Sequence, residues 1–208
     1  IPYSITAHAH DIYVDRTMLK QKISRSRFTV TISDYNKQLL RENYGDAIAR
    51  KIKVVHCGID SDIFKPRVEV DSDKPFTMIC VARMDEMKGH AFLVDACARL
   101  KAQGMNFRCI LVGDGPTRPQ VEAQIYRLGL SENFEVLGQQ PRPRVVQLLE
   151  KADVMVLPSV VAGCGKMEGI PVALMEALAM EIPVVATSIS GVPELIIDEE
   201  TGLQIGRA

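Results

Sequence analysis

Two carboxylates, Glu168 and Glu176, lie eight positions apart around the run Gly169-Ile170-Pro171, and from Val172 to Met180 every residue except Glu176 is apolar. Proline is favoured at the first helical position, where its missing N–H costs nothing. A helix is therefore expected to open at Pro171, with Glu168 in the loop at its mouth and Glu176 in its second turn. A helix apolar nearly all round is a buried one, and a carboxylate inside it requires a partner. A ligand hydroxyl donating a hydrogen bond would serve. The alternative is an ordinary helix with Glu176 on a narrow wet strip, where most glutamates sit.

A second group, Arg83-Met84-Asp85-Glu86-Met87-Lys88-Gly89, follows an apolar stretch. Arg offers a two-pronged fork and Lys a compact charge, and the helix start expected after Gly89 attracts anions in its own right. Together they could clamp a diphosphate, although two cations on a surface loop would look the same. Gly113-Asp114-Gly115-Pro116 lets backbone approach a ligand closely or simply makes a tight turn. It lacks the third glycine of a dinucleotide fingerprint, and is read as a wall of the site. His8-Ala9-His10-Asp11 invites a metal reading, but an i, i+2 histidine pair without a third ligand makes a poor site. Asp11 serves equally well as the cap of a following helix.

These groups need a scaffold, and the hydrophobic pattern supplies one. Apolar runs at 76–82, 107–112, 134–137, 154–157, 183–186 and 202–205 read as strands. The stretches 90–103, 119–128, 144–151 and 171–180 read as helices. Continuously apolar strands alternating with helices of this length indicate an α/β fold, a parallel sheet with helices on both faces. Ligands of open α/β sheets bind outside the carboxyl ends of the strands. The loops carrying Arg83, Gly113, Ser159–Glu168 and Thr187–Glu194 all fall on that edge. Before this unit, strands are expected at 4–7, 28–32 and 52–55 and helices at 12–24 and 35–43, too few strands to close a sheet. The reading is a partial Rossmann-like unit over 1–57, a linker over 58–75 and a Rossmann-like unit over 76–208.

Composition sets the broad class. With 47% hydrophobic and 25% charged residues and a formal net charge of −1, the chain has a globular composition with no bias toward nucleic acid. No apolar run approaches the roughly 20 residues of a membrane helix. Five cysteines, Cys57, Cys80, Cys97, Cys109 and Cys164, show no metal-ligand spacing, and an odd unpaired set suits a reducing, cytoplasmic setting. Arg16, Lys20, Lys22, Arg25 and Arg27 form either a solvated face or a patch toward anionic lipid at the inner membrane face. The opening Ile1-Pro2-Tyr3 carries no initiator methionine, so a processed product or a fragment is expected.

The order of these motifs resembles a known family. His8-Ala9-His10-Asp11, then Cys57-Gly58-Ile59-Asp60 with Phe64 and Pro66, Arg83 to Lys88, Gly113-Asp114-Gly115, Glu168 to Glu176 and Gly191-Val192-Pro193-Glu194 are similar to those of GT4-type retaining glycosyltransferases of the GT-B fold. The variant Glu-Gly-Ile-Pro and the opening Thr6 to Ile12 resemble the bacterial exopolysaccharide branch, of colanic-acid type. The resemblance implies a donor nucleoside diphosphate sugar, UDP- or GDP-linked, a glycan or lipid-linked acceptor, and no metal or other cofactor. It implies that Arg83 and Lys88 hold the diphosphate, Glu176 the ribose and Glu168 the donor sugar. Gly169, Ile170 and Pro171 would lie near sugar or phosphate, Gly113, Asp114 and Gly115 would line the donor site, and His8 would sit across the cleft. A complete member would carry more chain on both sides. A nucleotide-sugar epimerase of the same architecture, or a non-catalytic nucleotide-binding module, is the competing expectation.

Overall fold

The computed structural model describes residues 1–66 and 75–207. Residues 67–74, part of the expected linker, lie outside the described residues. Three strands, β1 (Ile5–Thr6), β2 (Thr29–Thr31) and β3 (Ile52–Val54), form a small parallel sheet in the order β1-β2-β3. Helices α1 (Leu19–Arg25), α2 (Asp34–Tyr44) and α3 (Asp46–Ala49) pack on it. The core of this half gathers Ile12, Ile23, Leu40 and Ile52. Helix α2 starts at Ser33, whose hydroxyl accepts from the Asn36 amide at 3.1 Å, a cap worth about 1 kcal/mol.

The helix expected over 12–24 is broken in two. A π-helical turn, His10–Val14, is followed by α1, and Met18 stands between them at φ 56°. The Asp15 carboxylate accepts from the Thr17 amide at 2.9 Å. Such a local bond offers the backbone an alternative to the helical ladder. The apolar spacing continues through the break, which is why periodicity alone joined the two pieces.

The larger half is a six-stranded, all-parallel sheet. Its strands are β4 (Phe76–Val81), β5 (Phe107–Val112), β6 (Phe134–Gly138), β7 (Val154–Leu157), β8 (Val184–Ser188) and β9 (Leu203–Arg207). Their spatial order is β6-β5-β4-β7-β8-β9. Helices α4 (His90–Ala102), α5 (Arg118–Arg127), α6 (Arg142–Glu150) and α7 (Val172–Ala179) connect them. Strands β4 and β5 pair without a slip from Phe76↔Phe107 to Val81↔Val112. Both faces of these strands are covered, as their unbroken apolar sequence requires; Ile79, Cys80, Leu111, Met155, Leu157 and Leu174 are among the residues sealed from solvent.

Successive strands run outward from β4 on one side and from β7 on the other. The order therefore reverses between β4 and β7, and a crevice must open above their carboxyl ends. Phe64, inside the expected linker, is buried in the core of this larger sheet. A single large aromatic in a polar stretch carries too little pattern to place.

Candidate functional site

The crevice is built by loops that touch one another. After β4 the chain turns through Arg83, and Met84, fully buried, anchors the turn. The Met84 amide donates to the Asp114 carbonyl at 3.0 Å and the Thr117 amide donates to the Met84 carbonyl at 3.1 Å. These bonds lock the loop after β4 to the loop after β5. Gly113 makes the contact feasible: at φ 134° an added Cβ would lie 2.0 Å from the Ala82 carbonyl oxygen. The glycines of Gly113-Asp114-Gly115 thus admit a neighbouring loop's backbone, and the wall they form is a packed one. The Asp114 carboxylate is turned to its own loop, accepting from the Gly115 amide at 2.7 Å and from Arg118 at 3.0 Å. Those bonds hold it below the usual carboxylate range.

On the other side of β4, Gly89 plays the same part. It lies at φ 69°, and a Cβ there would fall 1.8 Å from the Pro158 carbonyl oxygen. With the loops after β4 and β7 so close, Lys88 reaches Glu168 across 80 positions of sequence, and the two form a tight ion pair. The Ser159 hydroxyl lies 3.3 Å from the same carboxylate oxygen, and the Gly169 amide donates to the other at 3.3 Å. Glu168 is 7% exposed. Further ties lace the two loops: Lys166 to Asp85 at 3.0 Å, the Gly163 amide to the Glu86 carboxylate at 3.1 Å, and the Val160 amide to the Met87 carbonyl at 2.9 Å. The Lys166 bond draws the Asp85 carboxyl below its ordinary value.

Arg83 is exposed and lines an open pocket with Gly113, Asp114, Gln139, Gln140 and Val145. Glu176 lies on α7. The expectation that α7 is buried nearly all round, with Glu176 deep inside it, is corrected. Only Leu174 and Ala177 within the helix are buried, Val172 is 43% exposed, and Glu176 is half-buried. One face of α7 meets the sheet and the rest stays nearer solvent, so Glu168 is the buried member of the pair. Burial still raises the Glu176 carboxyl above its usual value, with Arg142 at the start of α6 opposing the rise. Pro171, expected as the first helical residue, is instead the cap of α7, one position before its first residue Val172, and no side chain caps that helix. Gly169, Ile170 and Pro171 are all buried at its mouth.

The smaller half meets the site from across the crevice. Tyr13, in the His10–Val14 turn, is buried and donates to the Asn36 side-chain oxygen. Burial, with Tyr35 beside it, pushes its phenol well above the ordinary value, and Ser190 and Glu168 act on the same group. The Ser190 hydroxyl in turn donates to the Glu168 carbonyl. His8 is exposed just before this turn, and among the described residues its side chain makes no hydrogen bond to Arg83, Lys88 or Glu168. Asp11 lies inside the turn, where Ala9 is the cap residue, and accepts from the His8 amide at 2.9 Å. It fastens the His8 loop from within and is not the helix cap that was one of its expected roles. Among the described residues His8, His10 and Asp11 do not come together as a possible metal-ligand group; Asp34, His56 and Glu194 bring one side-chain oxygen or nitrogen each within 4.8 Å of one another.

Sequence reasoning did not single out Asp85, Lys166, Gln139, Gln140, Arg142 or Ser190. The strand-end rule would have pointed to each loop, though not to the side chains that meet there.

A family model described as glycosyl transferases group 1 matches residues 62–207. The chain is 43% identical over 152 residues to WcaL of Escherichia coli (strain K12), named as a colanic acid biosynthesis glycosyltransferase. That match covers 73% of this chain and 37% of the relative. It is 38% identical over 154 residues to the amylovoran biosynthesis glycosyltransferase AmsK of Erwinia amylovora, covering 74% of this chain and 38% of the relative. The chain thus spans little more than a third of the length of these relatives. Among solved structures, a glycosyltransferase from Rickettsia africae superposes with a TM-score of 0.80 at 25% identity, over 98% of this chain and 56% of the other. Anabaena HepE, solved with UDP and glucose, gives 0.78 at 23% identity, over 99% and 58%, a likeness of fold. The GT-B architecture and the exopolysaccharide-type relatives expected from the motif order are both found.

Proposed function

The chain belongs to the group 1 glycosyl transferases, and on that premise we propose that it carries the donor side of a hexosyltransferase working from a nucleoside diphosphate sugar, UDP- or GDP-linked, with retention and without a metal. The observation that carries this reading is the cationic pair at the strand-order reversal: Arg83 open to the pocket, and Lys88 held beside Glu168. In transfer, the bond between the sugar's anomeric carbon and the phosphate oxygen breaks, and the acceptor hydroxyl forms a new bond to that carbon. Negative charge gathers on the departing diphosphate, whose oxygen takes the proton that the acceptor hydroxyl gives up. Arg83 and Lys88 stabilise that charge in a partly desolvated site, where fixed cations are worth most, and the α7 amides beyond Gly169, Ile170 and Pro171 add their partial positive charge.

Glu168 holds the hydroxyls of the transferred sugar, and Glu176 accepts from the ribose. Gly113, Asp114 and Gly115 back the pocket. His8 faces the sugar from the smaller half, which we assign to the acceptor, a glycan or a lipid-linked one. We place the reaction in the cytoplasm, with the exposed Lys20, Lys22, Arg25 and Arg27 turned to the inner membrane face; no helix of the described residues is long and apolar enough to cross a membrane.

Calorimetry on the chain tests the reading. Arg83→Ala should weaken nucleoside diphosphate binding by about 1.5–3 kcal/mol, the range for a hydrogen bond to a charged group, and leave the bare nucleoside almost unaffected. Equal losses for both ligands would place Arg83 away from the phosphates. Conversion of a nucleotide sugar to its epimer without any acceptor would replace the transferase with an epimerase.

A further inference from the structure

Glu194 closes the motif Gly191-Val192-Pro193-Glu194 of the larger half, yet its carboxylate lies at the start of α2 in the smaller one. One oxygen accepts from the Asp34 amide at 2.8 Å and the other from the Tyr35 amide at 2.7 Å, across about 160 positions of sequence. The next amide, that of Asn36, is taken by the Ser33 hydroxyl. A helix leaves its first N–H groups without partners inside itself, and here three successive ones are satisfied, two of them by another part of the chain. A carboxylate is also the group that the positive end of the helix favours.

The surroundings make this a docking point rather than a chance contact. Gly191 is buried where a Cβ would lie 2.8 Å from Ile170 and 3.2 Å from the Ser33 Cβ. The Tyr35 hydroxyl reaches the Met167 sulfur at 3.8 Å, and Met167 packs against the cores of both halves. The junction is therefore continuous with Gly169 and Ile170 at the mouth of α7. The grouping of Asp34, His56 and Glu194 does not describe a cation site. Both Glu194 oxygens already accept from amides, and the helix end that supplies them repels a cation.

We propose that Glu194 is the clasp between the two halves: its carboxylate docks the first turn of α2 onto the larger half and so sets where the His8–Tyr13 turn stands over Glu168. This goes beyond the donor reading and does not rest on it.

Two measurements on the 208-residue chain test the clasp without any nucleotide. In the first, amide exchange by NMR, Glu194→Ala should speed exchange at Asp34 and Tyr35 at least ten-fold, while Leu40 and Arg41 further along α2 keep their protection. The second is the distance between a spin label at the exposed Cys164 and one at Lys20→Cys, with the exposed Cys57→Ser. That distance should be narrowly distributed in the native background, broad in Glu194→Ala, and intermediate in Glu194→Gln, which keeps one acceptor oxygen. Ser33→Ala removes the local cap and leaves the clasp, so it should fray the first turn without broadening the distance. Unchanged exchange and distance in Glu194→Ala would overturn the proposal, as would a Ser33→Ala chain whose distance broadens as much.

Discussion

Lys88 and Glu168 neutralise each other with side chains only 17% and 9% exposed. Removing one partner of a buried pair leaves the other charge uncompensated, at a cost of about 3 kcal/mol or more. Glu168→Gln should therefore lower stability in denaturant titrations by that order. It should also leave Lys88 in need of an anion, so inorganic pyrophosphate should raise the melting temperature of the variant more than that of the parent. An identical shift in both would detach Lys88 from phosphate binding. Glu176 behaves differently. A carboxyl whose folded pKa is raised by burial binds more protons folded than unfolded, so its contribution favours the fold at low pH and is lost as pH rises through the folded value. Glu176→Gln should accordingly raise the neutral-pH melting temperature, with the gain vanishing in acid. If Glu176 holds the ribose, the same variant should lose roughly ten-fold in nucleotide affinity, because a hydroxyl bonds a carboxylate more strongly than an amide. Pyrophosphate, lacking ribose, should bind as before.

At the scale of elements, α4 carries a pH-sensitive first residue. His90 is 2% exposed, and among the described residues neither ring nitrogen has a hydrogen-bond partner. Burial, with the charge of Lys88 near it, lowers its pKa to about 4. A histidine with a depressed folded pKa binds fewer protons folded than unfolded, so stability falls as pH drops from about 6.5 toward 4. The loss from this group should be about 2 kcal/mol between pH 7 and pH 5. Thermal melts of His90→Phe should show that much less acid sensitivity, and equal slopes in both chains would mean that His90 finds a proton acceptor. The broken first helix and the half-exposed α7 teach a related lesson. Apolar periodicity located both, yet the Asp15–Thr17 bond decided where the first was interrupted. Which side of α7 faces the sheet was settled by packing.

For the whole molecule, the strand order puts Arg83, Lys88 and Glu168 at the one place where β4 and β7 diverge. Arg83 is open there, and the Glu168 and Asp85 carboxylates are already engaged by Lys88 and Lys166. A divalent ion would meet repulsion from Lys88 and Arg83 and few uncommitted oxygens. Nucleoside diphosphate binding should therefore survive a strong chelator; a large loss restored by a divalent ion would overturn the metal-free reading.

How much of this was legible in the sequence follows from the range of the interactions. The parallel α/β layer and nearly every strand of the larger half were readable from local patterning, because a strand covered on both faces must be apolar throughout. The edge carrying the site followed from strand direction, and the motif spacing marked Arg83, Lys88, Glu168 and Glu176. What the tertiary structure alone decided is which of these residues meet. Glu168 is buried because Lys88 comes to it from 80 positions away. Gly89 and Gly113 are required by the backbone of neighbouring loops, Phe64 leaves a polar stretch to fill the larger core, and Glu194 completes a helix about 160 positions before it. Each of these depends on chain segments packed together by the whole fold, and spacing along a sequence carries no signal for contacts at that range.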